Sequence, residues 1–335
     1  MGTRGSAAAC LTALTLAATA CAGPATEQQA TPVSPAPAPR AEPPSTAPAD
    51  LLSRATRDGV RRPRTAAQSA RQVLAAENAI RRPGTSPERL ATAGELAQVA
   101  YRVIGNRTTW DERVLAALPR RLHRVVERNV ASRREFRSMH YTLSDTLPAW
   151  RIMEPEPAEE LLAHYREAEQ RFGVDWEYLA AINLVETGMG RIRGLSVAGA
   201  QGPMQFIPAT WAQYGAGDIN DPRDAIMAAG RYLADRGFTE RDGIAGALYS
   251  YNNHPAYVRG VTKLARVMQA DSRAFLGYYH WQVYYLSSAG DVVLRPGYES
   301  RTEIPVARFL RSNPSALSSC SIRCRLGLVL TRTVR

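Results

Sequence analysis

The sequence predicts a mainly α-helical protein, and three observations support this fold class. Apolar residues recur every three to four positions through residues 51–149 and again after residue 157, which is the period of an amphipathic helix. Helix start signals precede several of these runs, and glycines end several of them. At 335 residues and 45% hydrophobic, the chain is long enough for one or two compact domains with an ordinary core.

Residues 1–21 are typical of a secretory signal, because Arg4 is the only early charge and an uncharged run rich in alanine, leucine and threonine leads up to Cys21. The segment "AATAC" resembles the box that precedes the lipidated cysteine of bacterial lipoproteins, although Ala18 stands where that box prefers Leu, Val or Ile. A lipid at Cys21, a plain cleaved signal and an apolar stretch without consequence all stay open. We expect an exported protein, held by a lipid at Cys21 on the outer face of the cytoplasmic membrane.

The composition of residues 22–50, mostly proline, alanine, threonine and serine, predicts a disordered linker. No long apolar run follows residue 21, so we expect nothing downstream to cross a membrane. The remaining cysteines, Cys320 and Cys324, lack histidine neighbours, and we expect a free or locally bridged pair without a catalytic role.

The formal net charge is +11, with a pI near 9.8, which favours polyanionic partners. Because Lys263 is the only lysine, nearly all of the positive charge is arginine. Export would separate the chain from nucleic acid, so we expect anionic wall polymers or membrane lipid instead and no nucleic-acid partner.

Residues 51–149 form a predicted N-terminal helical region. Its clearest helix begins at Ser86-Pro87 and ends at Gly105. No catalytic constellation occurs there. We expect His123 and His140 to be surface or packing residues, because neither has a second ligand at metal-binding spacing. The sequence therefore predicts no metal site.

The proline-rich segment Pro148–Pro157 predicts a boundary, and two helices follow it. The first ends at Gly173, and the second begins at Asp175, a predicted N-cap, and runs to Glu186.

Glu186 follows Leu179 and Ile182 by seven and four residues, so the carboxylate shares a helical stripe with apolar neighbours and should be partly buried. Burial keeps a carboxylic acid protonated for use as a general acid. A structural ion pair with Arg191 or Arg193 is the alternative, and the helix argument alone does not separate the two.

The glycines after Glu186 favour a functional acid, because they permit positive φ angles and the close approach of a ligand. They are Gly188, Gly190, Gly194, Gly199 and Gly202. The amides and aromatic residues of "QGPMQFIPATWAQYG" suit a neutral, hydroxyl-rich ligand such as a sugar.

Four ordered segments carry a resemblance to a known family: "VETGMG", "SVAGAQGPMQFIPATW", "INDPRDAIMAAGRYL" and "ALYSYNN". Over about residues 150–270 they resemble the soluble lytic transglycosylase (SLT) domain, family 23 of the glycoside hydrolases, in its actinobacterial lipoprotein-like form. Glu186-Thr187, residues 199–205 and Ala247–Asn252 fill the three family motifs. Pro203 replaces the usual leucine, and Asn253-His254 replaces a glycine-ending turn. Both replacements affect the shape of the groove, and therefore substrate preference, more than they affect the acid.

The resemblance implies a mainly α, lysozyme-like catalytic domain at residues 150–275, preceded by the helical arm of residues 51–149 and followed by an extension of unknown role at residues 276–335. It also implies cleavage of the β-1,4 bond between N-acetylmuramic acid and N-acetylglucosamine in peptidoglycan glycan strands, without a cofactor. Glu186 would protonate the leaving oxygen and then close a 1,6-anhydro ring. Tyr251 would position or hydrogen-bond Glu186 and the acetamido group of the substrate, and Met204 and Gln205 would line the saccharide groove. The implied substrate-binding residues are Thr187, Gln201, Met204, Gln205, Phe206, Tyr249, Tyr251 and Asn252.

Two alternatives stay open at this stage. A hydrolytic lysozyme of the same fold would need a positioned water and usually a second acid, for which Asp218, Asp221 and Asp224 are candidates. A non-catalytic cell-wall-binding protein would keep the fold without turnover. The sequence does not identify any cell-wall synthesis or division protein as a partner.

Overall fold

The computed structural model describes residues 48–317, and this part is mainly helical, which confirms the predicted fold class. The predicted signal with Cys21, nearly all of the predicted linker, Cys320 and Cys324 lie outside the described residues. Within residues 48–317, no helix combines the length and apolar composition that a membrane crossing requires.

The described helices are α1 (Pro48–Asp58), α2 (Ala66–Arg81), α3 (Pro87–Gly105), α4 (Asp111–Ala116), α5 (His123–Ser138), α6 (Ala158–Phe172), α7 (Trp176–Thr187), α8 (Pro208–Tyr214), α9 (Pro222–Asp235), α10 (Ile244–Tyr251), α11 (Pro255–Ala270), α12 (Ala274–Tyr279) and α13 (Val306–Ser312). The strands are β1 (Thr146–Leu147), β2 (Arg151–Ile152), β3 (Ile192–Arg193), β4 (Val283–Ser287), β5 (Gly290–Leu294) and β6 (Ile304–Pro305).

The six strands form three antiparallel pairs, β1 with β6, β2 with β3, and the hairpin of β4 and β5. The predicted boundary Pro148–Pro157 contains β2, in which Arg151 lies opposite Arg193 and Ile152 opposite Ile192. Periodicity could not predict this pairing, because a strand of two residues has no measurable period.

Helix boundaries follow the sequence signals closely, whereas two of the expected capping contacts are not made. Ser86 and Asp175 occupy the N-cap positions of α3 and α7, but neither side chain bonds to its helix. Asp175 instead accepts a hydrogen bond from Gln269 Nε2 at 2.9 Å. The carboxylate of Glu169 accepts the backbone N–H of Trp176 at 3.1 Å and so satisfies one free donor of α7.

One hydrophobic core extends from Leu52 on α1 to Tyr278 on α12 and includes α7. The predicted boundary at residue 150 therefore does not coincide with a gap in packing. α5 lies along α11, where Ser132 Oγ donates to the carbonyl of Gly260 at 3.0 Å. The arm of residues 51–149 thus supports the helices around Glu186 directly.

A smaller cluster lies under the β4–β5 hairpin and joins Leu147 and Ile152 to Val292, Leu294 and Val306. Residues 276–317 of the predicted extension are therefore folded.

An ion pair ties the hairpin to the arm, because Asp291 on β5 contacts Arg102 of α3 and Arg133 of α5 at 2.8 Å each. Truncation of a partner in a pair this buried would leave a charge uncompensated.

The packing of α3 on α12 depends on Gly94. A Cβ atom there would lie 2.6 Å from the carbonyl oxygen of Gly277 and 2.7 Å from Cβ of His280. We expect Gly94→Ala to lower the free energy of unfolding by about 1–3 kcal/mol, because the two helices must separate.

Gly246 of α10 is the matched control, since a Cβ there meets no atom within 4 Å. Gly246→Ala should leave stability unchanged or raise it by up to about 1 kcal/mol. Urea unfolding of both variants provides the measurement. Equal effects would contradict close packing at Gly94.

Candidate active site

Glu186 lies in the last turn of α7 and lines a cavity of about 580 Å³. Leu179 and Ile182, which precede it on the same stripe, are completely buried, whereas Glu186 itself is half-buried. The carboxyl group is thus partly buried, as its place on the helical stripe predicts.

The carboxyl group of Glu186 accepts one hydrogen bond, from the hydroxyl of Tyr257 to Oε1 at 2.7 Å. Burial raises the pKa of Glu186 to about 7, and the bond from Tyr257 acts in the opposite direction. Both protonation states are therefore accessible near neutral pH, as a group that first donates and then accepts a proton requires.

The alternative of a structural ion pair is not what the structure shows. Arg191 Nη1 donates to the carbonyl of Gly188 at 3.0 Å, and Arg193 Nη1 donates to the carbonyl of Asn220 at 3.1 Å. Within the described residues, no salt bridge involves Glu186.

Tyr257 is the contact to Glu186 that the sequence analysis missed. It lies on α11, is 1% exposed, and meets the ring of Phe136 edge-on, with centroids 6.5 Å apart. Burial, and then the charge of Glu186, raise the pKa of Tyr257 well above its usual value, so its hydroxyl remains a donor. The aromatic residue in "HPAYVRG", two residues after Pro255 at the start of α11, was the available signal.

The loop after the glycines forms a tight turn. Gln201 and Phe206 exchange two backbone hydrogen bonds of 2.9 Å each. Gly202 has φ of 72°, and a Cβ there would lie 1.9 Å from the carbonyl oxygen of Ile219, so only glycine fits. Gln205 also has a positive φ, of 52°, and its Nε2 donates to the carbonyl of Gly202 at 3.0 Å.

Side chains from two helices hold this loop by its carbonyl groups. The carbonyl of Pro203 accepts from Thr187 Oγ1 at 2.6 Å and from Asn183 Nδ2 at 2.8 Å. The carbonyl of Met204 accepts from the hydroxyl of Tyr251 at 2.7 Å. The loop is thereby fixed against the helix that carries Glu186.

These contacts correct three predicted roles. Thr187 and Met204 are completely buried, so their side chains pack behind the site and do not face a ligand. The hydroxyl of Tyr251 donates a hydrogen bond to the carbonyl of Met204, and Tyr257 takes the predicted place of Tyr251 at Glu186. The reason is the packing of α11 against α7, a long-range contact that a single sequence does not reveal.

The remaining predicted residues lie in different environments. Phe206 is buried against the rings of Trp211, Tyr232 and Tyr251, and Tyr249 is 45% exposed on α10. Of the predicted site residues, Glu186 and Asn252 line the cavity, whereas Gln201, Gln205, Phe206 and Tyr249 do not. All five predicted glycines have positive φ.

The arm and the β4–β5 hairpin supply much of the cavity wall. α3 contributes Gln98 and Arg102, and α5 contributes Arg133 and Phe136. The aromatic lining residues are Tyr101, Phe136, Trp150, Tyr257, Trp281, Tyr284 and Tyr285. His140 also lines the cavity, and burial followed by the charges of Arg137 and Arg133 lowers its pKa. Sequence analysis missed this wall because its members are distant in the chain.

Glu186 is the one carboxylate among the residues that line this cavity in the described part of the chain. Asp218, Asp221 and Asp224 lie at the start of α9, where Asp221 accepts the N–H of Asp224 at 2.9 Å and Asp224 accepts that of Asp218 at 3.0 Å. No group of three or more metal-ligating side chains occurs in residues 48–317.

Comparisons with known proteins indicate a family for part of the chain. Residues 164–272 match the family model described as the Transglycosylase SLT domain. The chain is also similar to the Membrane-bound lytic murein transglycosylase F of Thiobacillus denitrificans, with 28% identity over 127 residues. This match covers 36% of the chain and only 27% of that relative. No solved structure matches the chain. With Glu186 and its partner Tyr257 both inside the matched range, residues 164–272 form an SLT domain.

Proposed function

We propose that this protein is a peptidoglycan lytic transglycosylase, which cleaves the β-1,4 bond between N-acetylmuramic acid and N-acetylglucosamine and leaves a 1,6-anhydro-muramic acid end. The observation that carries the proposal is the single half-buried carboxyl group of Glu186, with a pKa of about 7 and no second carboxylate among the lining residues of the described cavity. The SLT domain and the similarity to a murein transglycosylase support the substrate class.

In the first step, protonated Glu186 donates its proton to the glycosidic oxygen, and the bond from that oxygen to the anomeric carbon breaks. The positive charge that develops on the muramic ring is stabilised by the substrate's own acetamido group, which replaces the second carboxylate of other glycosidases. Tyr257 then stabilises the carboxylate that remains, because its hydroxyl bonds to Oε1.

In the second step, the carboxylate of Glu186 removes the proton from the C6 hydroxyl of the same sugar, and that oxygen bonds to the anomeric carbon. Glu186 is protonated again, and no water is consumed. A pKa of about 7 suits both steps, because the same group must act as acid and as base at one pH.

The cavity wall supports binding of a glycan strand. Tyr284 and Tyr285 of β4, Trp150 and Trp281 are aromatic residues of the lining, and Asn252 adds an amide residue to it. Such a mixture of apolar rings and few polar groups is typical of ligand sites. We assign Asn252 to substrate binding.

We also propose that the protein is exported and held on the outer face of the cytoplasmic membrane by a lipid at Cys21. The predicted signal and its uncharged run support this location, and the relative's name describes a membrane-bound protein. Palmitate labelling of the wild-type chain and of Cys21→Ala tests the lipid at Cys21. We expect label on the wild-type chain alone, and label on both chains or on neither would contradict the proposal.

A hydrolytic lysozyme and a non-catalytic wall-binding protein are the competing functions, and one digestion separates all three. We expect Glu186→Gln to reduce release of muropeptides by at least about 10³-fold, because it removes the acid and the base together. Exposed Glu160 of α6 is the matched control, and Glu160→Gln should keep full activity.

Mass spectrometry of the wild-type digest in ¹⁸O-water provides the readout. Anhydro ends without ¹⁸O support the proposal. Reducing ends that carry ¹⁸O would indicate hydrolysis, and equal release by Glu186→Gln and wild type would remove Glu186 from catalysis.

Tyr257→Phe tests the positioning role of the hydroxyl at Oε1. The bond stabilises the charged carboxylate, so its loss should raise the pKa of Glu186 and move the alkaline limb of the pH–activity profile to higher pH. Tyr249→Phe is the control, because Tyr249 is 45% exposed and does not line the cavity. An unchanged alkaline limb in Tyr257→Phe would exclude the proposed role.

Stability should also depend on pH through Glu186. Its folded pKa of about 7 lies above the ordinary value of 4.5, so the wild type loses stability as pH rises from about 4.5 through 7. The difference in unfolding free energy between Glu186→Gln and wild type should change by on the order of 3 kcal/mol in favour of the variant when pH rises from 4 to 9. Urea unfolding at both pH values provides the measurement, and a constant difference between the two proteins would be the contrary result.

A further inference from the structure

A second cavity, of about 1070 Å³, lies in the arm and has a strongly basic lining. We call it the arginine cavity; its charged lining residues are Arg54, Arg61, Arg62, Arg64, Arg71 and Arg107, with Asp58 as the one acid. Glu186 does not line it, and no residue that we assign to catalysis or glycan binding does so.

The arginines reach this cavity from separate elements. Arg54 lies on α1, Arg61 and Arg64 on the segment between α1 and α2, and Arg71 on α2. Within the described residues, the guanidinium groups of these four arginines take part in no ion pair. Their charge is therefore available to a ligand.

The segment that carries Arg61 and Arg64 is held in place by α2. Gln72 Nε2 donates to the carbonyl of Arg61 at 2.7 Å, and the backbone N–H of Arg64 donates to Gln68 Oε1 at 2.7 Å. Pro63 between them is buried. This fixation reduces the cost of ordering the segment when a ligand binds.

Gln72 gives a second, independent sign of a missing ligand. Its side chain is 8% exposed and lines the cavity, yet Oε1 has no hydrogen-bond donor. Buried polar atoms are nearly always paired.

We propose that the arginine cavity binds a phosphate group, with Arg54, Arg61 and Arg64 as the anion-binding side chains. Guanidinium groups pair with phosphate through two parallel hydrogen bonds, and the six arginines and one acid that line the cavity give it a net positive charge. The phosphate can belong to a lipid headgroup or to a soluble compound, and the same residues would serve both.

The test compares two triple variants in the full chain, each with Cys21→Ala so that no lipid anchor can act. One variant carries Arg54→Gln, Arg61→Gln and Arg64→Gln. The control carries Arg113→Gln, Arg124→Gln and Arg241→Gln, which removes the same charge from exposed arginines outside the cavity. The probes are inorganic pyrophosphate, and phosphatidylglycerol–phosphatidylcholine vesicles beside vesicles of phosphatidylcholine alone.

We expect the cavity variant to lose at least about tenfold in affinity for one of the probes. The affinity of the control should stay within about twofold of that of the Cys21→Ala protein with all of its arginines. Pyrophosphate binding would identify a soluble phosphate as the source, and binding confined to phosphatidylglycerol vesicles would identify a headgroup. Equal losses in both variants, or no binding of either probe, would overturn the proposal. Release of anhydro-muropeptides should be unchanged in both variants, so this result is independent of the proposed function.

Discussion

The burial of one carboxyl group, that of Glu186, is the constraint on which the rest of the site depends. Leu179 and Ile182 place it on the apolar stripe of α7, and Tyr257 gives it one hydrogen bond. Burial alone would keep the group neutral, and several hydrogen bonds would keep it ionised. One buried donor leaves the pKa at about 7, so a single residue can serve as acid and base.

The loop beside Glu186 is held in place by hydrogen bonds to its backbone carbonyl groups. Asn183, Thr187 and Tyr251 hold the loop through the carbonyls of Pro203 and Met204. From the other side, α5 supports α11 and hence Tyr257. The arm is thus part of the wall and part of the support, because residues of α3 and α5 line the same cavity as Glu186.

Features of the structure that depend on contacts within a few residues could be predicted from the sequence. The extent of α3, the stripe of α7 and the positive φ angles of the glycines follow from contacts within a few residues, and the structure agrees with them. Choosing between Tyr251 and Tyr257 depends on the angle between α10 and α11, and the wall formed by Gln98 and Tyr284 depends on contacts almost two hundred residues apart. Such long-range packing leaves no periodic signal in one sequence.

The proposed mechanism requires that both protonation states of Glu186 are populated near neutral pH. A direct titration of Glu186 tests this requirement. Carbon-13 NMR of the glutamate carboxyl groups, with Glu186→Gln used to assign the resonance, would follow this group alone as pH changes. We expect a midpoint near 7. A midpoint at the ordinary value of about 4.5 would mean that Glu186 is ionised at neutral pH, and would contradict its role as the proton donor.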